Sequence, residues 1–375
     1  MPDRVWIVSA KRTPQGRFLG ALAKKSAVDL GVAAAKGALA SLCPDQIEQV
    51  IVGNVLGAGL GMNVARQIGV HSGIPISVPA FTVNMMCASG MQAVILGVQA
   101  IRAGTARVVL CGGTESMSNA PFLLNGARSG WKFGDETLVD SVLRDGLTDA
   151  FSGEAMGLIG ERIAEKYSVT RPQQDEFAAR SQERYGKALA EGRYRDELVP
   201  VDDVDRDEPP RPETTAAGLA RLRPSFKPDG TVTAGNASGI NDGAAMLVLC
   251  DPAWGAAHHL TPLAVITATA SVGCDPALMG MGPVYATRMV SQNPAEFDHV
   301  ELNEAFAAQA VACARELGLA EERVNPDGGA IALGHPIGAS GARLLVHLAH
   351  RRPKKGLATL CVGGGQGTAV VVEQP

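Results

Sequence analysis

Two cysteines, a histidine and an asparagine of this 375-residue chain have settings in which their side chains can do chemistry. Cys87 falls between a strand-like run, residues 81–84, and a helix that begins near Ser89. The N-terminus of a helix stabilises a thiolate and lowers its pKa, so we expect a nucleophile, although a buried inert cysteine is the commoner case. Cys361, in the run CVGGGQG, has the same alternative, and the glycines after it expose backbone N–H groups to a ligand.

His335 and Asn303 have settings of the same kind. His335 lies in GGAIALGHPIGASG, where Pro336 and the flanking glycines predict a tight bend just before a helix. A histidine held in such a bend is suited to act as a general base, and a structural role is its alternative. Asn303, in ELNEAFAAQ, follows a strand and precedes a helix. Asn303 is therefore either the N-cap of that helix or an amide that orients a water or stabilises an oxyanion.

The elements that carry these residues repeat along the chain. Residues 87–116 and 338–367 both contain ASG, and both read as an apolar helix, a basic turn and a short β-rich strand. Cys111 aligns with Cys361 in this repeat, which favours an unreactive role for a cysteine at that strand end. Strand–helix–strand order with buried strands predicts an α/β fold with mostly parallel pairing, built from two duplicated βαβ-type halves.

One long segment, residues 118–238, has no counterpart in either half. It contains a turn-rich stretch, a polar helix around 171–191 and a charged, proline-rich run, and it is too long for a simple loop. We therefore predict three parts: an N-terminal half of residues 1–117 plus 239–261, an inserted loop domain of residues 118–238, and a C-terminal half of residues 262–375.

Composition excludes several classes of protein. Hydrophobic residues make up 46% of the chain, which rules out global disorder, and the net charge of −4 provides no basic field for a nucleic-acid partner. No apolar run reaches the ~18 residues of a membrane span. The seven cysteines include no CxxC, so we expect neither a disulfide framework nor a metal site, and a reducing cytoplasmic location.

Five blocks of the sequence resemble the signature blocks of thiolases, the acetyl-CoA C-acyltransferases. The blocks are VNMMCASGMQA at 83–93, GGTESMSNAPF at 112–122, NEAFAAQ at 303–309, GGAIALGHPIGASGAR at 328–343 and CVGGGQG at 361–367. One block alone is only suggestive, but five blocks in the expected order over nearly the whole chain are specific. The resemblance implies the thiolase fold, which has five layers in the order αβαβα.

The resemblance also implies a role for each candidate residue. Cys87 would take the acyl group, His335 would activate Cys87, and Cys361 would remove a proton from the acetyl methyl group of the second substrate. Asn303 would hold a water in a first oxyanion hole, and the backbone N–H groups of Cys87 and Gly363 would form a second. Coenzyme A, as a cosubstrate, is the only cofactor implied, and no metal is implied.

The family further implies where acyl-CoA lies. The inserted domain would bind CoA, with Arg211 at the nucleotide end and Ala234 and Ser238 along the pantetheine. The residues that would line the acyl pocket, with ordinary core packing as the alternative, are Leu147, Met156, Met279 and Phe306. Family members are dimers at least, and the full-length loop at 120–146 resembles that of the tetrameric members.

We therefore expect a thiolase that reversibly condenses two acetyl-CoA to acetoacetyl-CoA and CoA through an acyl-cysteine. The alternatives are a 3-ketoacyl-CoA thiolase for longer or branched chains in fatty-acid breakdown and a non-catalytic acyl-CoA-binding relative. Glu154 and Ala155 stand where an aromatic residue and a histidine are common in short-chain members, and Gly218 stands where a CoA-contacting serine is frequent. These departures leave the acyl chain length open.

Overall fold

A computed structural model describes residues 4–375, so residues 1–3 of the predicted N-terminal half lie outside the described residues. The strands are β1 Val5–Arg12, β2 Gly16–Arg17, β3 Gln49–Gly53, β4 Ala80–Val83, β5 Val108–Ser116, β6 Phe122–Leu123, β7 Val139–Asp140, β8 Asn241–Cys250, β9 Ala264–Gly273, β10 His299–Leu302, β11 Lys355–Val362 and β12 Gln366–Glu373. The α-helices are α1 Ala27–Leu39, α2 Val64–His71, α3 Ser89–Arg102, α4 Met156–Lys166, α5 Arg171–Ala190, α6 Ala216–Leu219, α7 Pro252–Ala257, α8 Gly282–Val290, α9 Ala307–Glu316, α10 Ala330–Leu333 and α11 Ile337–Arg351.

The main strands pair in one continuous order, β10-β11-β12-β9-β1-β8-β5-β3-β4, with β2 beside β8. Strand β3 is parallel to β4 and β5, and β10 is parallel to β11. The other pairs along this order are antiparallel, so the prediction of mostly parallel pairing is wrong. Only strands joined by a helical crossover pair in parallel; β11 and β12 form a hairpin, and β8 returns between β1 and β5.

The helices and strands form five layers, which three apolar clusters of buried residues hold together. One cluster packs α1 and α2 on β3, β5 and β8, a second surrounds α3 and α11, and a third packs α9 and α8 on β9 to β12. Alternate residues of β5 serve two clusters, with Val108 and Leu110 on the outer side and Val109 and Cys111 on the inner side. The order is α, β, α, β, α, which confirms the predicted layers.

The repeated halves meet at α3 and α11 in the central layer. A Cβ atom on Gly90 would lie 2.8 Å from the carbonyl oxygen of Gly338, and one on Gly341 would lie 2.7 Å from Cβ of Met91. Glycine at these positions therefore lets the two helices approach closely. Since Cys87 comes just before α3 and His335 just before α11, this contact brings the two candidate loops together.

The strand cysteines of the repeat are not equivalent. Cys111 faces the central cluster, whereas Cys361 faces the outer cluster of the C-terminal half. A shift of one residue along a strand moves a side chain to the opposite face of a sheet. The alignment of Cys111 with Cys361 is therefore wrong by one position, and it is Val362 that shares the central facing of Cys111.

The segment 118–238 contains β6, β7, α4, α5 and α6. The predicted polar helix is confirmed as α5, which begins with a capping box between Thr170 and Gln173. Tyr185 of α5 packs in a cluster with Leu333 of α10, so this helix is held against the C-terminal half. The boundaries of the three predicted parts stay a prediction. Within residues 4–375, no helix combines the length and the apolar character that crossing a bilayer requires.

Candidate active site

The backbone before α3 forms a tight turn that presents Cys87. Met86 has a left-handed φ of 46°, a conformation that costs on the order of 1–3 kcal/mol in a side chain of this kind. Side-chain bonds hold the turn: Asn84 Oδ1 accepts from the N–H of Met86 at 3.0 Å, and Ser89 Oγ accepts from the N–H of Met85 at 2.9 Å. The position of the Cys87 sulfur is therefore fixed by its own turn.

Two backbone N–H groups point at the sulfur of Cys87, one from Gly363 and one from Cys87 itself. Burial nevertheless raises the pKa of this partly exposed thiol to about 11, and the two N–H groups offset only part of that rise. The expectation that the helix N-terminus lowers the pKa is therefore wrong for the free protein. Cys87 is a neutral thiol at pH 7, and it needs a base to become a nucleophile.

His335 is placed by neighbours on three sides. Its backbone N–H donates to Asn241 Oδ1 at 2.9 Å, and its ring Nδ1 lies 2.6 Å from Ser340 Oγ. Ser340 donates its one proton to the carbonyl of Pro336 at 3.0 Å, so we assign the proton of the ring to Nδ1. The lone pair then lies on Nε2, which faces Nδ2 of Asn303 at 3.5 Å.

The ring of His335 is also held neutral. Burial, and after it the nearby charge of Arg343, lowers the pKa of His335 to about 4. His335 is 6% exposed, and at physiological pH its imidazole carries no charge. A neutral imidazole with its lone pair on Nε2, the nitrogen that faces Asn303, is the form that can accept a proton.

Asn303 is not a helix cap. The N-cap of α9 is Phe306, so the interpretation of Asn303 as an N-cap is wrong. The backbone N–H of Asn303 donates to the carbonyl of Thr359 at 3.0 Å, which fixes it between β10 and β11. Within the part of the chain that the structure describes, its buried Oδ1 has no hydrogen-bond partner. Such an atom is an acceptor for a bound water or substrate.

Cys361 lies at the end of β11, fully buried, and the turn after it carries Gly363. Burial, together with the neighbouring Cys87, raises the pKa of Cys361 well above its ordinary value. Gly364 and Gly365 both have a φ of 85°, and a Cβ on Gly365 would lie 2.6 Å from the nitrogen of Pro276. Glycine is required in this turn, which directs the N–H of Gly363 at the Cys87 sulfur.

The four predicted acyl-pocket residues belong to the two apolar clusters that include Cys87 and Cys361. Leu147 packs in the same small cluster as Cys87, and Met279 and Phe306 belong to the cluster that contains Cys361. Met156 joins that cluster, and its Sδ lies 3.9 Å from where a Cβ on Gly363 would stand.

The predicted CoA contacts divide into two groups. Ser238 donates its N–H to the carbonyl of Ala305 at 3.1 Å, and Ala237 pairs with Phe306. Ala234, in the same loop, is exposed. Arg211 is exposed on the inserted segment, where its N–H donates to Gln182 Oε1 at 2.7 Å. The structure therefore joins the loop of Ser238 to the segment that follows Asn303, and it joins Arg211 to α5.

Sequence reasoning missed Glu115, which is fully buried beside the two loops. Its carboxylate accepts from Asn54 Nδ2 at 2.8 Å, from the N–H groups of Val55 and Leu56, and from the N–H of Gly338 at 2.9 Å. Burial raises the pKa of Glu115 to about 7, although the N–H donors act to lower it. Glu115 joins the turn after β3 to the start of α11. The only sequence signal for Glu115 was its position in the GGTES block. Ser340 was missed as well, and its only signal was the ASG motif.

A second buried polar cluster lies further along α11, and we call it the ion network. His347 Nδ1 lies 2.8 Å from Glu197, and its Nε2 lies 3.1 Å from Asp327. Burial alone would lower the pKa of His347, but Glu197 and Glu301 raise it to about 9. The members of the network are Arg12, Glu197, Asp207, Glu301, Asp327, Arg343 and His347.

Three buried side chains of this region, His299, Glu301 and His347, stand close enough to share a metal ion. Both ring nitrogens of His347 face carboxylates, however, and a metal ligand must offer a lone pair. An ion-paired imidazolium therefore fits His347 better than a metal ligand does. The group joins β10 and α11 to the inserted segment through Glu197.

Comparison with known proteins identifies the family. The thiolase N-terminal domain matches residues 5–253, and the thiolase C-terminal domain matches residues 260–374. The chain belongs to the thiolase family. This result confirms the resemblance that the five blocks carry.

Individual thiolases are similar over almost the full length. The chain is 50% identical to an acetyl-CoA acetyltransferase of Pseudomonas aeruginosa, with 98% of each chain covered. Among solved structures, human mitochondrial 3-ketoacyl-CoA thiolase in complex with CoA has a TM-score of 0.96 at 42% identity, covering 99% of this chain and 98% of that one. Acetyl-CoA acetyltransferase of Bacillus anthracis has a TM-score of 0.95 at 39% identity, with the same coverage. The thiolase fold is thereby confirmed.

Proposed function

We propose that this thiolase is an acetyl-CoA C-acetyltransferase, which condenses two acetyl-CoA to acetoacetyl-CoA and CoA and also catalyses the reverse thiolysis. The observation that carries the proposal is the arrangement around Cys87. Its sulfur faces the N–H groups of Cys87 and Gly363. A neutral His335 lies beside Asn303, whose amide oxygen has no partner among the described residues, and Ile337, two residues after His335, packs in the same cluster as Cys87. Relatives named acetyl-CoA acetyltransferase, and a CoA complex of a thiolase with the same fold, support it.

The first half of the reaction forms an acyl-cysteine. His335 Nε2 takes the proton of the Cys87 thiol, and the sulfur then attacks the thioester carbon. The oxygen of the tetrahedral intermediate accepts hydrogen bonds from the N–H groups of Cys87 and Gly363. As the carbon–sulfur bond to CoA breaks, Cys361 gives its proton to the departing CoA sulfur. The step leaves acetyl-Cys87, a protonated His335 and a Cys361 thiolate.

The second half forms the carbon–carbon bond. The Cys361 thiolate takes a methyl proton from the second acetyl-CoA, and burial makes this thiolate an unusually strong base for a weakly acidic carbon. Protonated His335 and a water on Asn303 hold the enolate oxygen. The enolate carbon attacks acetyl-Cys87, the Cys87–carbon bond breaks, and the sulfur recovers its proton from His335. All three side chains return to their starting forms.

A second candidate is thiolysis of longer 3-ketoacyl-CoA in fatty-acid breakdown. Ala155 favours it, because a methyl group occupies a position beside the pocket where short-chain members commonly place a histidine. The likeness to human mitochondrial 3-ketoacyl-CoA thiolase also supports this candidate. Both candidates use the same four residues, so they differ only in the acyl chain that is accepted.

We also propose a homotetramer in the cytoplasm. Strand β4 ends the strand order with its outer edge free within residues 4–375, and Phe81 on it is exposed, which suits pairing with a second copy. The 120–146 loop exposes Phe122, Trp131 and Phe133, an apolar surface suited to a further pair of copies. All seven cysteines are free thiols, as a reducing compartment maintains them. The mass in solution by light scattering tests the tetramer.

The proposed function is tested by thiolysis and by trapping the acyl-enzyme. We expect CoA-dependent loss of acetoacetyl-CoA, abolished in Cys87→Ala. After exposure to acetyl-CoA, intact mass should show an acetyl adduct in Cys361→Ala and none in Cys87→Ala. Cys111→Ala is the matched control, because Cys111 is also a buried strand cysteine but faces the central layer.

Two results would contradict the proposal. One is the absence of CoA-dependent loss of acetoacetyl-CoA and of every longer 3-ketoacyl-CoA. The other is an acyl adduct on Cys361 with Cys87 unmodified, which would exchange the roles of the two thiols.

A further inference from the structure

We infer that three buried side chains, Gln15, Glu115 and Asn241, are positioning residues for His335, because they hold both ends of the bend that carries its imidazole. The bend consists of residues 334–338, from the end of α10 to the first turn of α11. The inference rests on the proposed function, since it concerns the general base of that same site. The three side chains act through His335 and not on the substrate.

Two of these side chains bind the first end of the bend. Asn241 Oδ1 accepts from the backbone N–H of His335 at 2.9 Å. We assign the amide of Gln15 so that its nitrogen faces two carbonyl oxygens, and it then donates to Leu333 at 2.9 Å and to Gly334 at 3.1 Å. Asn241 and Gln15 are each 2% exposed, so these bonds are shielded from competition by water.

Glu115 binds the other end of the bend. Its Oε2 accepts from the N–H of Gly338 at 2.9 Å and from that of Val55 at 3.1 Å, and its Oε1 accepts from the N–H of Leu56 at 3.0 Å. Val55 and Leu56 pack in the same apolar cluster as Cys87. One carboxylate therefore ties the bend to the cluster that includes the nucleophile.

The bend fits closely against two of the side chains that hold it. A Cβ on Gly334 would lie 2.4 Å from Cγ of Asn241, and a Cβ on Gly338 would lie 2.5 Å from Oε2 of Glu115. Gly334 also has a φ of 100°, a conformation that other residues rarely adopt. Glycine at both ends lets the backbone come within hydrogen-bond distance of these side chains and leaves no space for it to move closer.

All three side chains come from the predicted N-terminal half, whereas the bend belongs to the C-terminal half. Gln15 follows β1, Glu115 lies in β5, and Asn241 begins β8, which pairs with both of those strands. Cys87 belongs to the same half as the three side chains, so they fix the position of the base relative to the nucleophile. A displacement of about 1 Å in a catalytic group lowers a rate by about 100-fold.

The test measures kcat and KM for thiolysis of acetoacetyl-CoA in two variants. Asn241→Ala removes the acceptor for the N–H of His335, and Glu115→Gln keeps the shape of the side chain but turns an amide NH₂ toward N–H donors. We expect kcat to fall by about ten- to 100-fold in each variant, with KM within about twofold of the unsubstituted protein. Gln15→Met removes only the amide, and its kcat should fall by about two- to tenfold. It provides the same test if either of the other variants does not fold.

The same substitutions in a His335→Gln protein separate positioning from a structural role. Residues that act through the imidazole should lower kcat no further once the imidazole is absent. Residues that only support the fold would lower the residual rate again.

Glu161→Gln is the matched control. Glu161 is 4% exposed, and its carboxylate also accepts from two backbone N–H groups, those of Thr231 and Val232, at 2.8 Å each. These bonds lie within the inserted segment and do not involve the bend. In urea denaturation, Glu161→Gln should lose about as much stability as Glu115→Gln, whereas its kcat should stay within about twofold of the unsubstituted protein.

The inference is overturned if kcat in the folded Asn241→Ala and Glu115→Gln variants stays within about twofold of the unsubstituted value. A rise in KM at constant kcat, a further fall of kcat in the His335→Gln protein, or an equal fall of kcat in Glu161→Gln would also overturn it. A different result, in which the unsubstituted protein cleaves no 3-ketoacyl-CoA at all, contradicts the proposed function itself.

Discussion

Two buried histidines, one just before helix α11 and one within it, have surroundings with opposite effects on the pKa of the imidazole. His335 precedes the helix, where burial lowers its pKa to about 4, and its ring contacts the neutral side chains of Ser340 and Asn303. His347 lies in the same helix, where Glu197 and Glu301 outweigh burial and raise its pKa to about 9. An uncharged imidazole therefore precedes this helix, and a charged one lies within it.

The difference shows that burial by itself does not decide the charge of a histidine. Burial disfavours the charged form at both positions, and only the carboxylates around His347 reverse the result. Glu197 shows the effect from the other side: burial would raise its pKa, but the charges of His347 and Arg12 hold it at about 2. A base that must accept a proton is kept neutral, and a residue that links three parts of the fold is kept charged.

The largest expected effect comes from His335→Gln. Without the imidazole, kcat/KM for thiolysis of acetoacetyl-CoA should fall by about 10²–10⁴-fold, because the general base is lost. The free energy of unfolding should fall by only about 1–2 kcal/mol, since the lost hydrogen bonds are between neutral groups. Steady-state rates and urea denaturation measure the two quantities. A rate within tenfold of the unsubstituted protein would contradict the role of His335.

The same substitution at the other buried histidine, His347→Gln, should reduce stability strongly and the rate of catalysis only slightly. It removes a cation from between Glu197 and Asp327, and the free energy of unfolding should fall by about 3–5 kcal/mol. The rate per folded molecule should change far less than in His335→Gln. Equal stability losses in the two variants would show that the ion network is no more important for stability than the hydrogen bonds of His335.

If His347→Gln does not fold, the unsubstituted protein gives the same information through pH. The folded pKa of His347 lies above the unfolded value of about 6.5, so its contribution is complete below pH 6.5 and is lost toward pH 9. The loss is on the order of 3 kcal/mol. His335, with a lowered pKa, causes loss of stability as the pH falls from 6.5 toward 4. Urea denaturation at intervals of pH measures both limbs.

The smallest expected effect is that of Ser340→Ala. Ser340 accepts from Nδ1 of His335 and so directs the lone pair to Nε2. As a positioning residue it should lower kcat by about two- to tenfold, the equivalent of one hydrogen bond, with KM for acetoacetyl-CoA unchanged. A rise in KM at constant kcat would instead indicate a part in binding the substrate.

Local signals in the sequence were sufficient for the elements around the site. The strand before Cys87, the helix from Ser89, the bend at Pro336 and the helix after Asn303 are all present, because caps, glycines and prolines act over a few residues. The roles of the residues came from the resemblance to thiolases. Their assignment to individual steps stays a prediction that the geometry supports.

Properties that depend on distant parts of the chain could not be predicted in this way. The ion network joins Arg12, Glu197 and His347, which no pattern of spacing relates. The pKa of Cys87 was predicted in the wrong direction, because the helix N-terminus is a local feature and burial is not. The alignment of Cys111 with Cys361 failed for a similar reason, since a single residue of register decides which layer a strand side chain faces.

The position of β8 between β1 and β5 affects how the protein is made on the ribosome. Strand β5 is complete at Ser116, but its antiparallel partner β8 begins only at Asn241, after the whole inserted segment. While that segment is translated, the apolar edge of β5 has no partner on this side, and β1 still awaits both of its neighbours. Such edges pair readily with other nascent chains. We therefore expect a period during synthesis when chaperones, and not the native sheet, must keep this chain from aggregating.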